Sequence, residues 1–125
     1  DEAALLAGDY RPLEPYLKAI RVGTLFLELS TPRAGEVSAV SELGTDHRIG
    51  LGCVNPRSDR VETVAEITAR AEAAIAAFGP DRVLLNSDCG FATFADNPVA
   101  SAAVASAKLA AMAEASSRLR DKYRV

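Results

Sequence analysis

Two side chains at the ends of apolar segments could carry chemistry in this 125-residue sequence. Glu28 interrupts the apolar segment 25–29, and Cys89 follows Asp88 just beyond the apolar segment 83–85. A buried carboxylate is costly unless it is paired or bound to a metal. A thiol at the end of a strand can serve as a metal ligand or as a nucleophile. Glu28 and Cys89 are therefore candidates for a metal or acid–base site.

Plainer interpretations of both residues stay open at this point. Glu28 can lie at the end of a strand, where it meets water or Arg33. Cys89 can be a small buried apolar residue, which is the commonest environment of a free cysteine. One cysteine is weak evidence for zinc, because a zinc site needs three or four protein ligands.

A polar segment after residues 48–54 supplies further candidates, since Asn55, Arg57 and Ser58 could bind a substrate. The Arg57 guanidinium could hold a carboxylate, a sulfonate or a phosphate. The alternative is a solvated loop arginine that pairs with Asp59 or Glu62.

The other cysteine and the one histidine are less promising for catalysis. We expect Cys53 in the core, where the glycines at 50 and 52 indicate close backbone packing. His47 precedes the second strand, so we interpret it as a surface loop residue. About seven strand residues at ~3.3 Å each would put it ~20 Å from Cys89.

Three similar units along the chain must position these residues. Each predicted unit has a short apolar strand, a turn-rich loop and an Ala-rich helix, with strands at 24–29, 48–54 and 82–85. Near-continuous apolar strands that alternate with helices predict a parallel sheet. In such a sheet, sites are built at the carboxyl ends of the strands.

The helices have recognisable start and stop signals. Thr63 and Glu66 predict a capping box, Gly79-Pro80 a helix end, and Asn97-Pro98 the start of the last helix. A further helix is predicted at 11–20, before the first strand. The apolar stripes predicted for the two long helices are Ile67, Ala71, Ala74, Ile75 and Phe78, and Val104, Leu109, Met112 and Leu119.

We predict an α/β fold formed by the C-terminal three strand–helix units of a (β/α)8 TIM barrel, which makes residues 1–125 a partial, incomplete barrel. Three parallel strands alone would leave two exposed apolar edges, and a whole barrel needs roughly 250 residues. The alternative is a small flavodoxin-like domain, for which five strands are usual but only three are visible.

Composition excludes several function classes. A net charge of -3 argues against a dedicated nucleic-acid or polybasic membrane surface. No apolar segment approaches the ~20 residues that cross a bilayer. Two cysteines and an acidic N-terminus without a basic leader favour a cytoplasmic protein. The absence of an initiator Met suggests a piece of something longer.

Taken together, the motifs resemble the C-terminal end of the cobalamin-independent methionine synthase family. The matching segments are 27–30 with 32–35, then 50–55 with Ser58 and 60–62, and finally Asn-Ser-Asp-Cys-Gly-Phe at 86–91. The resemblance extends from about residue 8 to residue 120. Its most specific part is the Asp-Cys-Gly turn together with Glu28 at the family's distance.

The resemblance implies a zinc ion at the carboxyl ends of the barrel strands. Glu28 and Cys89 match two of its ligands, whereas the family's His-x-Cys pair would precede this chain. The partners would be homocysteine or another small thiol, methylfolate and the remainder of the barrel N-terminal to this chain. Asp88, like Asn55 and Ser58, would lie among the substrate-binding groups.

The implied reaction is zinc-dependent methyl transfer from 5-methyltetrahydrofolate, as its polyglutamate, to homocysteine, which forms methionine. Arg57 occupies the position of the family's proton-donor His, although arginine is a poor acid because its pKa exceeds ~12. Relatives with the same zinc scaffold add coenzyme M to epoxides, which is the first alternative. The second is a non-catalytic α/β fragment. For the isolated chain we expect no turnover and weak zinc binding.

Overall fold

A three-stranded parallel sheet forms the centre of the molecule. The computed structural model describes residues 8–32, 36–43 and 47–125. Strands β1 (Thr24–Leu27), β2 (Arg48–Val54) and β3 (Val83–Ser87) lie in the order β1-β2-β3. Both neighbouring pairs are parallel, so all three carboxyl ends meet at one edge. The predicted sheet is confirmed, with a shorter β1 and a β3 shifted toward its polar turn.

Among the described residues, three α-helices accompany the sheet: α1 (Glu14–Ala19), α2 (Val64–Phe78) and α3 (Ala102–Tyr123). A 3₁₀ turn, Arg11–Leu13, leads into α1, close to the predicted helix. The capping box is present, since Thr63 Oγ1 accepts from the Glu66 amide and Glu66 Oε2 from the Thr63 amide. Gly79, with φ of 90°, ends α2 as expected. No helix within the described ranges has both the length and the hydropathy to cross a membrane.

The first strand–helix unit differs from the prediction. Between β1 and β2 the described residues form one 3₁₀ turn, Val37–Ala39, and no α-helix. Only about 20 residues join these strands, and the polar loop that follows β1 takes several of them. Residues 33–35, which include the Arg33 considered as a partner of Glu28, lie outside the described residues, as do residues 44–46.

The predicted start of the last helix at Asn97 is wrong. Residues Asn97–Pro98 form strand β5, which pairs antiparallel with β4, Ala92–Phe94. Ser101 caps α3 instead, and its Oγ accepts a hydrogen bond from the Val104 amide at 3.2 Å. Both Asn and Ser are good N-caps, so local preference did not distinguish them. The hairpin fixes the choice, because the amides of residues 99 and 100 donate to the Phe91 carbonyl.

One face of the sheet packs against the helices and holds the core. This covered face includes Leu27, Ile49 and Leu51, each at most 4% exposed. The stripe predicted for α2 is confirmed apart from Ile75, which is only partly buried. The core residues are Leu25, Leu27, Leu29, Val40, Leu43, Ile49, Leu51, Cys53, Val54, Ile67, Ala71, Ala74, Phe78, Ala115 and Leu119.

The inward side of α3 departs from the predicted stripe. Leu109 is 44% exposed, whereas the neighbouring Lys108 is completely buried. Lys108 Nζ donates to Glu62 Oε2 at 2.8 Å and to the Arg60 carbonyl. A buried ammonium needs such partners, and they lie in the segment between β2 and α2.

The opposite face of the sheet, which we call the open face, is exposed to solvent instead of being covered by helices. Phe26 is 67% exposed on it, and Glu28 follows two residues later, also exposed. A methyl group added at Gly50 would overlap the Phe26 ring and approach Asn86 Oδ1 at 2.9 Å. Phe26, Gly50 and Asn86 therefore lie close together on the open face, although Asn86 is the register partner of Gly52.

His47 lies at the amino end of β2, as predicted, but it is not a surface residue. It is 4% exposed, and its Nδ1 lies 2.8 Å from the Val22 carbonyl oxygen, so Nδ1 donates. Arg82 Nε donates to the His47 carbonyl at 2.9 Å. These contacts join the amino ends of the strands, and sequence reasoning missed them because the partners are backbone carbonyls.

Candidate active site

The carboxyl ends of the three strands surround one small depression of about 10 Å³. The lining combines acidic, basic and thiol groups: Glu28, Thr31, Asn55, Pro56, Arg57, Asp88 and Cys89. Parallel strands produce this convergence, because each chain segment turns polar where its strand ends. Of the predicted site residues, only Ser58 is outside the lining.

Glu28 directly follows β1 and points away from the core. It is exposed, and its amide donates to the Tyr10 hydroxyl at 2.9 Å. That contact ties the residue to the segment before α1. The position agrees with the plainer interpretation, a carboxylate at a strand end, and it equally lets Glu28 act at the shared depression.

Asp88 binds the segment that follows β1. Its Oδ1 accepts from the amides of Leu29 and Ser30, both at 3.1 Å, and its Oδ2 accepts from the Ser30 hydroxyl. Burial raises the pKa of Asp88, although these hydrogen bonds oppose the shift, and the nearby Glu28 charge raises it further. Both carboxylate oxygens are thus engaged by the chain itself.

The backbone around Asp88 is irregular in a way that makes room for the carboxylate. The β2–β3 register shifts between Gly52 and Val54, and the Asp88 amide donates to the Val54 carbonyl at 2.9 Å. A methyl group at Gly52 would overlap Asp88 Oδ1 and lie 2.6 Å from the Leu27 carbonyl oxygen. Bulges of this kind redirect side chains beside functional sites.

Cys89 is exposed at the edge of the depression. Burial of its sulfur raises the pKa of the thiol, and the Glu28 carboxylate raises it further. The Arg57 guanidinium, within hydrogen-bonding reach, lowers the pKa of Cys89 but does not reverse the shift. The thiol is therefore protonated near neutral pH. A nucleophilic cysteine needs the opposite shift, whereas a metal cation deprotonates a coordinating thiol outright.

Cys53 shows the contrasting environment. It is completely buried on the covered face, which confirms the prediction of a core residue. Its Sγ lies 3.4 Å from the Asn86 carbonyl oxygen, and burial raises the pKa of its thiol to about 12. Such a thiol is chemically inert.

The loop after β2 carries the remaining predicted residues. Asn55 Oδ1 accepts from the Arg57 amide at 2.9 Å, so its side chain shapes the turn. Ser58 Oγ accepts from the Arg60 amide at 3.2 Å and lies outside the depression. Glu62, considered as a partner of Arg57, pairs with Lys108 instead. The Arg57 side chain is left at the mouth of the depression.

The buried ion pair supports this loop from below. Glu62 Oε1 accepts from the Asn55 amide at 2.9 Å while Oε2 accepts from Lys108. Burial alone would raise the pKa of Glu62, but the hydrogen bonds from Lys108 and Asn55 hold it below its ordinary value. Both carboxylate oxygens thereby link the loop to the middle of α3.

The described residues supply only part of a metal centre. They contain no group of three or more His, Cys, Asp and Glu side chains that could hold a metal ion. Glu28 and Cys89 share the depression and offer one oxygen and one sulfur ligand. Tetrahedral zinc accepts such ligands but needs three or four, so the donor chemistry fits half a site.

Three residues that line the depression or hold its lining in place were not anticipated from the sequence. Tyr10 holds the Glu28 amide, and Ser30 holds Asp88. Thr31 lines the depression, and its buried Oγ1 has no hydrogen-bond partner among the described residues. Ser30 and Thr31 directly follow Leu29, so polar residues just after a strand were the available signal.

Comparison with known proteins identifies related sequences. The family model described as the cobalamin-independent synthase catalytic domain matches residues 8–116. A methionine synthase from Saccharolobus solfataricus is 26% identical over 117 residues, which cover 94% of this chain and 33% of that protein. A 5-methyltetrahydropteroyltriglutamate–homocysteine methyltransferase from Lactiplantibacillus plantarum is 34% identical over 77 residues, 62% of this chain and 10% of that protein.

A solved structure has the same fold. It is a B12-independent methionine synthase from Shewanella sp. W3-18-1 in complex with selenomethionine, with a TM-score of 0.76 and 19% identity. The alignment covers 91% of this chain and 32% of that one. The chain thus spans a third or less of these relatives' lengths. The likeness confirms the predicted fold class, part of a barrel with a parallel sheet.

Proposed function

This chain belongs to the family of the cobalamin-independent synthase catalytic domain, and on that premise we propose that it is part of a methyltransferase. The enzyme would move a methyl group from 5-methyltetrahydropteroylpolyglutamate to homocysteine and form methionine. Residues 1–125 would be the C-terminal portion of its barrel, completed by sequence N-terminal to this chain. The observation that carries the proposal is the depression that Glu28 and Cys89 share at the carboxyl ends of parallel strands.

Glu28 and Cys89 are proposed as two ligands of a zinc ion. The high pKa of Cys89 suits a thiol that ionises only on binding a cation. The resemblance assigns the missing ligands to a His-x-Cys pair upstream. Bound zinc would lower the pKa of the acceptor thiol, which would then be available as a thiolate near neutral pH.

In the proposed reaction the acceptor sulfur forms a bond to the methyl carbon while the bond from that carbon to the folate nitrogen breaks. The nitrogen is a poor leaving group and takes up a proton. Arg57 is a poor source of that proton, because a guanidinium keeps its proton in proteins. We assign Arg57 an electrostatic role beside Cys89. We assign Thr31 a hydrogen bond to bound substrate through its hydroxyl, which has no partner within the described part of the chain.

Arg57 also favours a second candidate function, the addition of a thiol such as coenzyme M to an epoxide. There the sulfur bonds to a ring carbon, the carbon–oxygen bond breaks, and the oxygen takes up a proton. A permanent cation near the depression could bind the sulfonate of the thiol or steady the developing negative charge on oxygen.

The test uses the protein together with its upstream sequence. We expect methionine from homocysteine and 5-methyltetrahydrofolate, and loss of at least about a hundredfold in turnover for Cys89→Ser and Glu28→Gln, as when a metal ligand is removed. Cys53→Ser and Glu36→Gln are the matched controls, because Cys53 is buried on the covered face and Glu36 lies outside the depression.

Three outcomes would each contradict a part of the first proposal. Product from coenzyme M and an epoxide, with none from homocysteine and methylfolate, would favour the second. Full turnover by the Cys89→Ser protein would remove Cys89 from the reaction altogether. Robust methyl transfer by residues 1–125 alone would contradict the assignment of this chain to part of a barrel.

A further inference from the structure

We propose that Asp88 is a positioning residue that holds the segment carrying Glu28 against the segment carrying Cys89. The inference rests on the proposed function for its consequence, since Glu28 and Cys89 are the proposed zinc ligands. In this proposal Asp88 binds other residues of the protein, whereas the sequence led us to expect a contact with the substrate. The carrying observation is that both Asp88 oxygens bind the residues just after Glu28.

The bridge spans two strands that do not pair with each other. Strand β2 lies between β1 and β3, and neighbouring strands are ~4.8 Å apart, so β1 and β3 are separated by about 10 Å. Sheet hydrogen bonds alone therefore do not join their ends. The Asp88 carboxylate crosses this gap and accepts two backbone amides and one hydroxyl from Leu29 and Ser30.

Asp88 is itself fixed to the strand it crosses. Its amide donates to the Val54 carbonyl at 2.9 Å, beyond the point where the β2–β3 register shifts. Gly52 lies beneath the carboxylate, and any side chain there would overlap Oδ1. Three strand ends thus meet at one residue, Asp88, and a glycine at position 52 is required to admit its carboxylate.

The consequence concerns the two proposed ligands directly. Glu28 immediately precedes Leu29, and Cys89 immediately follows Asp88, so the bridge sets the separation of their backbones. Groups that orient metal ligands in this way usually contribute about tenfold to a hundredfold to metal affinity. Loss of the bridge should therefore weaken metal binding while the helices and core stay folded.

The first measurement needs no metal. In the 125-residue chain carrying Glu28→Cys, dibromobimane becomes fluorescent only when it bridges thiols at positions 28 and 89, because Cys53 is buried and inert. We expect Asp88→Ala and Gly52→Ala to slow bridging by about tenfold, as misplaced groups do. Asp88→Asn, which keeps one oxygen acceptor, should recover part of the rate.

Two matched variants separate positioning from general damage. Gly50→Ala inserts the same methyl group two residues away, against the exposed Phe26 ring. Asp81→Asn changes an exposed aspartate before the opposite end of β3. In both variants the rate of cross-linking by dibromobimane should lie within twofold of the parent rate. Thermal unfolding followed by circular dichroism shows which variants are folded. Unchanged bridging in a folded Asp88→Ala or Gly52→Ala chain would overturn the inference, as would equal slowing by Gly50→Ala.

The second measurement is Co²⁺ titration of the protein with its upstream sequence, followed by the cobalt–thiolate absorption. Asp88→Ala should weaken binding by about tenfold or more, and Asp81→Asn should not. Unchanged affinity in the folded Asp88→Ala protein would overturn the inference. If the parent binds no Co²⁺ while bridging still depends on Asp88, the zinc proposal fails and the positioning role stands.

Discussion

The two faces of the sheet are stabilised by different interactions. The covered face is closed by α2 and α3, and two of its residues, Leu51 and Ile49, are at most 1% exposed. The open face exposes Phe26 and Glu28 and is held by side-chain contacts at its edge, chiefly those of Asp88. Apolar burial on one face therefore builds the fold, while the polar edge of the other face assembles the candidate site.

The largest loss of stability is expected when the buried ion pair between Lys108 and Glu62 is broken. Lys108→Met leaves Glu62 buried without its partner, which should lower the free energy of unfolding by about 3–5 kcal/mol. Lys18→Met is the control, because Lys18 forms an exposed pair with Glu14 that contributes at most ~1 kcal/mol. Urea unfolding measures both. Equal, small effects of the two variants would show that the buried pair does not support the loop after β2.

A second comparison contrasts the faces themselves. Leu51→Ala should cost about 2–5 kcal/mol in any form of the protein, because it leaves a cavity in the core. Phe26→Ala should cost within ~0.5 kcal/mol in the 125-residue chain, where the ring is exposed. In the protein with its upstream sequence it should cost about 3–5 kcal/mol, since the proposed barrel would enclose the ring. A small loss of stability for Phe26→Ala in the longer protein as well would contradict the proposal that Phe26 lies inside a barrel.

A pH titration sharpens the role of Glu62. Its pKa is lowered in the folded protein, so its stabilising contribution is present above the ordinary value of 4.5 and is lost as pH falls through the lower folded value. The stability gap between the parent and Glu62→Gln should therefore narrow below about pH 4.5. Urea midpoints from pH 7 to pH 3 measure it, and a constant gap would contradict the assignment.

The smallest effect concerns the start of α3. Ser101→Ala should cost about 1 kcal/mol, because it removes the acceptor for the Val104 amide. Asn97→Ala should cost only a few tenths, since Asn97 is an exposed residue of the β4–β5 hairpin. A larger loss of thermal stability for Asn97→Ala than for Ser101→Ala would instead support a helix that starts at Asn97, as predicted from the sequence.

Sequence reasoning succeeded where a short periodic pattern decides the structure. Strand β2 and the capped start of α2 were predicted to the residue, because apolar runs and capping boxes are local signals. The helix expected after β1 was wrong, as was the start of α3, since a long loop and a hairpin compete with local helix preference.

The candidate site was predictable only in part, for a related reason. Topology brought Glu28, Asn55, Arg57, Asp88 and Cys89 to one depression, as their positions at strand ends suggested. The supporting contacts were not predictable: residues 30 and 88 lie 58 positions apart, and Lys108 and Glu62 lie 46 apart. Such pairings depend on how the elements pack together, so they cannot be predicted from the type of either residue alone.

X-ray absorption at the zinc edge can show whether Glu28 and Cys89 bind zinc, with the protein and its upstream sequence as the sample. We expect one zinc per chain. Cys89→Ser should remove one sulfur ligand from its coordination shell and Glu28→Ala one oxygen ligand, whereas Cys53→Ser should leave the shell unchanged. The same coordination shell in the parent and Cys89→Ser proteins would contradict this expectation.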